Sequence, residues 1–202
     1  AHTPMLRYLK PLPVILREHR NYRRGIISCS IILLGTMAAG FYMVYGAEKF
    51  ASTPKEIATL TGLLTGVLIG SQAVFNLLWG VLADRVGHKL VLVSEAFLIM
   101  AAAVIAYFAS SQSFLVITFI LLGAYLAAGQ VSGLNIILEF CREDDRPTFI
   151  GLTNTLLAPL FAFAPLLGGF ITQQFGFQTL FMCALSAAGL GGFLLLFWVD
   201  EP

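Results

Sequence analysis

Six long apolar runs decide most of what this chain can become. They extend from about Gly25 to Gly46, Ile57 to Ala83, Leu90 to Ala109, Phe114 to Leu138, Phe149 to Ile171 and Thr179 to Val199. Each is near the roughly 20 residues that a helix needs to cross about 30 Å of hydrocarbon. Strands are excluded as the spanning element. A lone strand leaves its backbone groups unpaired in lipid, and membrane strands run only about 9–11 residues with polar–apolar alternation. Hydrophobic side chains make up 58% of the 202 residues and charged ones 11%, against roughly 25% charge in a soluble domain. So little charge cannot cover a water-facing surface. The expected fold class is an all-α membrane protein with six transmembrane helices.

Two domains are expected: a cytoplasmic basic segment over residues 1–24 and a six-helix transmembrane domain over residues 25–202. The first carries Arg7, Lys10, Arg17, Arg20, Arg23 and Arg24, broken by Pro4, Pro11 and Pro13. With Arg85, Lys89, Arg142 and Arg146 these give ten cations on one side of the predicted helices, against Lys49 and Lys55 on the other. Lysine and arginine accumulate on the cytoplasmic side, so both termini are expected there, in a multi-pass protein of the plasma or inner membrane. The chain starts at Ala1 rather than Met, as a fragment or processed product would. The first apolar run is long enough to span, unlike a signal peptide. Cys29, Cys141 and Cys183 are far apart, and His2, His19 and His88 are scattered in polar segments. Neither set has metal-ligand spacing.

Packing signals accompany the runs. Gly62, Gly66 and Gly70 repeat every four residues on the second helix, as do Gly129 and Gly133 on the fourth. Small residues at that spacing let another helix approach closely. Pro159 and Pro165 fall inside the fifth run, where each removes a backbone donor and is expected to bend the helix.

Between the second and third runs the chain reads Gly80-Val81-Leu82-Ala83-Asp84-Arg85-Val86-Gly87-His88-Lys89-Leu90-Val91-Leu92. Two antiparallel helices must reverse here within about six residues. Gly80 is expected to let the backbones approach, and Gly87 to take the positive φ of a tight turn. Arg85 and Lys89 hold the loop on the cytoplasmic side. Glu95 and Glu139 are expected at the same membrane level, sharing those cations in a small charge cluster with Asp84. The segment resembles the loop signature of the major facilitator superfamily, G-x-L-A-D-R-x-G-R-K-x-x-L, with His88 where the family has arginine. Further stretches look like the same family: Arg146-Pro147-Thr148-Phe149-Ile150-Gly151-Leu152 through Ala158-Pro159, Pro165-Leu166-Leu167-Gly168-Gly169, and the closing Trp198-Val199-Asp200-Glu201-Pro202. The basic segment looks like the family's central loop. The fourth helix lacks the arginine often found in the N-terminal half. The resemblance therefore implies a C-terminal half: two inverted three-helix repeats matching the seventh to twelfth helices. It also implies that the loop of Gly80, Asp84, Arg85, Gly87 and Lys89 is a conformational latch, packing on the opposite half when the cytoplasmic side is closed.

Polar side chains are costly in lipid and turn inward. Gln72 and Asn76 share a face of the second helix, Gln130 and Asn135 lie on the fourth, and Asn154 lies near the start of the fifth. These five are the candidate substrate-pathway residues, with interhelical hydrogen bonding as the plainer role for each. The third and sixth helices have no amide between their ends, which fits a family whose matching helices stand outside the cavity. Phe41, Tyr42 and Tyr45 fit an interfacial aromatic belt as well as a cavity wall. Glu95 either pairs with a loop cation or carries a coupling proton.

The leading reading is half of a secondary transporter that moves a small molecule by alternating access. The alternative is a self-contained six-helix channel or scaffold acting as a homodimer. An intramembrane enzyme is disfavoured, because the sequence has no His-Glu-x-x-His and no Gly-x-Ser-x-Gly. No catalytic residue, cofactor, metal or nucleic acid is expected. The expected partners are the lipid bilayer, a small-molecule substrate, and either a missing N-terminal six-helix half or a second copy.

Overall fold

The computed structural model describes residues 16–200. Residues 1–15 of the basic segment and the Glu201–Pro202 end lie outside the described residues. Among the described residues the chain is helical, without strands. Five helical stretches are long and apolar enough to cross a membrane: Arg20–Phe50, Pro54–Val86, His88–Tyr107, Gln112–Glu139 and Glu143–Phe197.

The first stretch consists of α1 (Arg20–Gly35), a 3-10 turn (Thr36–Ala38) and α2 (Phe41–Phe50). It starts inside the basic segment, so Arg20, Arg23 and Arg24 stand on its first turns. The interruption follows a close approach of α1 to its neighbour: a Cβ on Gly35 would lie 2.9 Å from the Ala188 methyl. α3 (Pro54–Val86) is sharply started. Thr53 and Glu56 form a capping box and Pro54 occupies the first turn, satisfying backbone donors that a helix start leaves unpaired. Its 33 residues span about 50 Å at 1.5 Å per residue, so it projects beyond the hydrocarbon. α4 (His88–Tyr107) follows after Gly87 alone. α5 (Gln112–Ser132) and the short α6 (Asn135–Glu139) make one stretch with a turn between them.

α7 (Arg146–Phe197) has 52 residues, about 78 Å by helical rise and far more than one crossing needs. Its one non-helical residue is Gly176, at φ 83° and ψ 170°. Contacts with the first stretch show what happens there. In arm 146–175, the Phe149 ring meets Tyr22 at 4.7 Å and Gly168 abuts the Met37 backbone. In arm 177–197, Phe177 meets Tyr45 at 5.4 Å, Phe181 stacks on Tyr42 at 5.0 Å, and Gly191 abuts Ile32. Just beyond it, Asp200 receives a 2.8 Å bond from Asn21 at its carbonyl. The contacts climb along the first stretch in one arm and descend in the other, so the arms run in opposite directions. The seven-residue loop expected over 172–178 has shrunk to a single glycine. The backbone stays helical through Pro159 and Pro165.

The strongest packing runs in the order α3–α5–α4–α7–α1. Small residues set the close contacts. A Cβ on Gly123 of α5 would lie 2.6–2.8 Å from Leu68, Ser71 and Gln72 of α3. One on Gly192 of α7 would lie 2.8 Å from Ala96 of α4. The spaced glycines Gly62, Gly66 and Gly70 do not do this work. Nothing lies within 4 Å of a Cβ built on any of them, nor of one on Gly80. Their face of α3 is open among the described residues.

Candidate functional site

α3 is apolar through its membrane-spanning part, yet only 11% of that part is buried, against 39–44% in the other four stretches. Leu63, Ile69, Val74, Leu77 and Val81 are all more than half exposed. Arm 146–175 is similarly uncovered, with Phe161, Phe163, Leu166 and Phe170 exposed. The candidate amides lie on and beside this open surface.

Asn76 of α3 donates from Nδ2 to Gln130 Oε1 of α5 at 3.5 Å, which joins two of the five candidates across a helix pair. Gln72, half-buried, lies on the same side of α3, its backbone nitrogen close to Gly123. Asn135 is exposed and donates to Val131 O at 2.7 Å. That bond bridges the turn between α5 and α6, where backbone carbonyls lose their helical partners. Asn154 is exposed on arm 146–175, and among the described residues no hydrogen bond joins it to the other four. Its neighbour Thr153 points the other way, buried and 2.8 Å from the Tyr22 hydroxyl. The structure therefore brings Gln72, Asn76 and Gln130 together and leaves Asn135 and Asn154 apart. Sequence reading did not single out Ser71 and Trp79, which tie α3 to α5 by bonds to Ile120 O at 2.7 Å and Ala124 O at 2.8 Å.

The loop at Gly87 has the expected positive φ, 85°. Asp84 and Arg85 are exposed and Lys89 is half-buried. His88 is anchored, its Nδ1 lying 3.1 Å from the hydroxyl of the buried Ser132 on α5. The expected charge cluster is not assembled here. The ion pairs among the described residues are Arg24–Asp200 at 3.0 Å and Glu143–Arg146 at 3.5 Å. Glu139 is exposed. Glu95 turns into the bundle, its Oε1 3.2 Å from where a Gly129 Cβ would stand. The physical reason is rotation: at about 100° per residue, position 95 faces α5 rather than the loop.

Away from the amides, a depression of about 450 Å³ at the α5–α7 connection is lined by Glu139, Phe140, Cys141, Arg142, Asp145 and His19. Burial pushes the Cys141 thiol up, although Arg146 pulls it down, so this cysteine has no activated-nucleophile character. Among the described residues no group of three His, Cys, Asp or Glu side chains could hold a metal ion.

The family model for the Major Facilitator Superfamily matches residues 23–202. The chain is similar to the inner membrane transport protein YajR of Escherichia coli (strain K12), with 31% identity over 141 residues, 69% of this chain and 30% of that protein. It is also similar to the multi-drug resistance efflux pump PmrA of Streptococcus pneumoniae serotype 4, with 24% identity over 161 residues, 79% of this chain and 40% of the relative. The methylenomycin A resistance protein of Streptomyces coelicolor is 24% identical over 170 residues, 79% of this chain and 36% of its own. The chain spans about a third of the length of the curated relatives it matches.

Proposed function

This chain belongs to the major facilitator superfamily, and we propose that it forms the C-terminal six-helix half of a secondary transporter moving a small molecule by alternating access. The observation that carries the reading is α3, an apolar membrane helix left uncovered along its length and bearing Gln72 and Asn76. Lipid alone is a poor partner for amides. A cavity shared with a second six-helix half supplies both water for the amides and cover for the open glycine face. Residues 1–24 then serve as the loop joining the halves.

Six crossings in two inverted repeats are supported by the two glycine junctions. Gly87 joins the second and third crossings and Gly176 the fifth and sixth, with nearly the same backbone angles. In each repeat the first crossing is also interrupted, by the 3-10 turn at Thr36–Ala38 and by the turn between α5 and α6. Cytoplasmic termini are supported by the lysine and arginine count, and an inner or plasma membrane by similarity to the E. coli protein. The substrate class we favour is a drug-like molecule of low charge. The pathway amides are neutral, and two relatives are named for drug efflux or antibiotic resistance.

The test is alanine replacement of Gln72, Asn76 and Gln130 in the whole protein. Efflux of a fluorescent drug should change in affinity or rate while expression holds. Unchanged efflux in all three would make them packing residues.

A further inference from the structure

We propose that Glu95 is a proton-binding site inside the helical bundle, reached from the cytoplasmic side through a small cavity between α1, α5–α6 and α7. The placement rests on the chain spanning a membrane, and its link to transport rests on the function proposed above.

The side chain points inward. The lipid-facing side of α4 is marked by Phe97, Val104 and Phe108, exposed by 57%, 39% and 68%. Glu95 precedes Phe97 by two residues, which rotates it about 160° away from that side at 3.6 residues per turn. Room for it is made by Gly129, since a Cβ there would sit 3.2 Å from Oε1 and 3.5 Å from Cδ. A side chain at position 129 would press on the carboxyl group, which would have to give by a few tenths of an ångström.

The surroundings offer no cation. Among the described residues neither ion pair involves Glu95. The titratable groups facing it are Cys29 of α1 and Tyr125 of α5, both close enough to interact with its charge. α7 packs on α4 through Gly189 and Gly192 and brings no titratable side chain to this level. The charges of α3, Asp84 and Arg85, are exposed at its cytoplasmic end, and Glu139 of α6 is exposed too. A carboxylate at membrane depth needs its charge cancelled. On α4 itself His88 lies two turns toward the loop on the same α5-facing side and is bound to Ser132, and Lys89 forms no ion pair among the described residues. With no basic side chain paired to Glu95, the remaining agent is a proton. One proton added to the carboxylate gives a neutral acid, with no other bond made or broken.

A route is present. Cys29, within electrostatic reach of Glu95, stands on the wall of a cavity of about 30 Å³, the volume of one water molecule. The lining also includes Tyr22, two turns back along α1, and Thr153 of α7, whose hydroxyls are 2.8 Å apart. Tyr22 lies two residues from the start of α1, at the cytoplasmic end. Water entering between Tyr22 and Thr153 reaches Cys29. Closing α1, α4 and α5 around Glu95 therefore requires the proton, and loosening them toward the cytoplasm lets it leave.

The experiment is infrared difference spectroscopy of the whole protein in lipid vesicles through a pH titration, comparing it with Glu95→Gln. The native protein should show the carbonyl stretch of a protonated carboxyl, lost on alkalinisation and shifted in heavy water. Glu95→Gln should lack it at every pH. Glu95→Asp should keep a shifted band, which guards against a variant that merely misfolds. The inward–outward balance, read by cysteine accessibility, should move by up to about tenfold per pH unit in the native protein and stay flat in Glu95→Gln. An identical band in Glu95→Gln overturns the site, whatever transport does. A band assignable to Glu95 with no substrate movement upholds the site and removes the transport reading.

Discussion

The junctions at Gly87 and Gly176 share a backbone and differ in chemistry. Their angles are φ 85°, ψ 158° and φ 83°, ψ 170°, a region of conformational space that is essentially glycine's own. In both, helix follows helix with one residue between. The residue after each glycine anchors the turn on another helix: His88 on Ser132 of α5, Phe177 on Tyr45 of α2. Around Gly87 stand Asp84, Arg85 and Lys89, while around Gly176 stand Gln173, Gln174 and Gln178. The reversal therefore needs the glycine and not the charges, because the second junction makes the same turn without them. Charge at Gly87 answers to something else. Arg85 and Lys89 suit a cytoplasmic face, but a carboxylate at the C-terminal end of α3 opposes the helix dipole. On the function proposed above, Asp84 serves as the latch against the second half, a role the turn itself does not supply.

The largest effect expected from this comparison is on folding. Gly87→Val and Gly176→Val should each lower the melting point of the detergent-solubilised protein by a similar amount, corresponding to about 1–3 kcal/mol. Nothing lies within 4 Å of a Cβ at either position, so the loss would come from backbone strain alone. Full tolerance at Gly176 would break the equivalence of the two junctions. A smaller effect is expected from Asp84→Asn. Melting should barely move, and a latch coupling of about 1 kcal/mol would slow transport about fivefold. Gln174→Ala at the uncharged junction should leave transport as it is. Normal transport in Asp84→Asn would reduce the loop to a structural turn.

The apolar runs and the loop at Gly87 were legible in the sequence because membrane crossing and positive φ each demand particular residues at particular spacing. The junction at Gly176 reads in the sequence as a longer loop, since Thr172–Gln178 carries no charge and no turn cluster to mark where helix stops. Which glycines are squeezed was not legible either. Gly62, Gly66 and Gly70 have the spacing of a packing ridge but face open space, whereas Gly123, Gly168 and Gly191 meet neighbouring backbone. Spacing says that glycines share a face, and only the tertiary arrangement says what that face meets. The same limit applies to the site. Amide spacing placed Asn76 and Gln72 on one side of α3, but nothing in the sequence announced that Asn76 would pair with Gln130 while Asn135 bonded back across the turn between α5 and α6.

The account stands most directly on the two junctions lying on opposite sides of the membrane. With Cys29, Cys141 and Cys183 replaced by serine, single cysteines are placed at Val86 and Gln174, and intact cells are treated with an impermeant thiol reagent. The cysteine at Gln174 should react from outside, and the one at Val86 only after the membrane is permeabilised. Labelling of both from the same side would contradict the inverted arrangement and the half-transporter built on it.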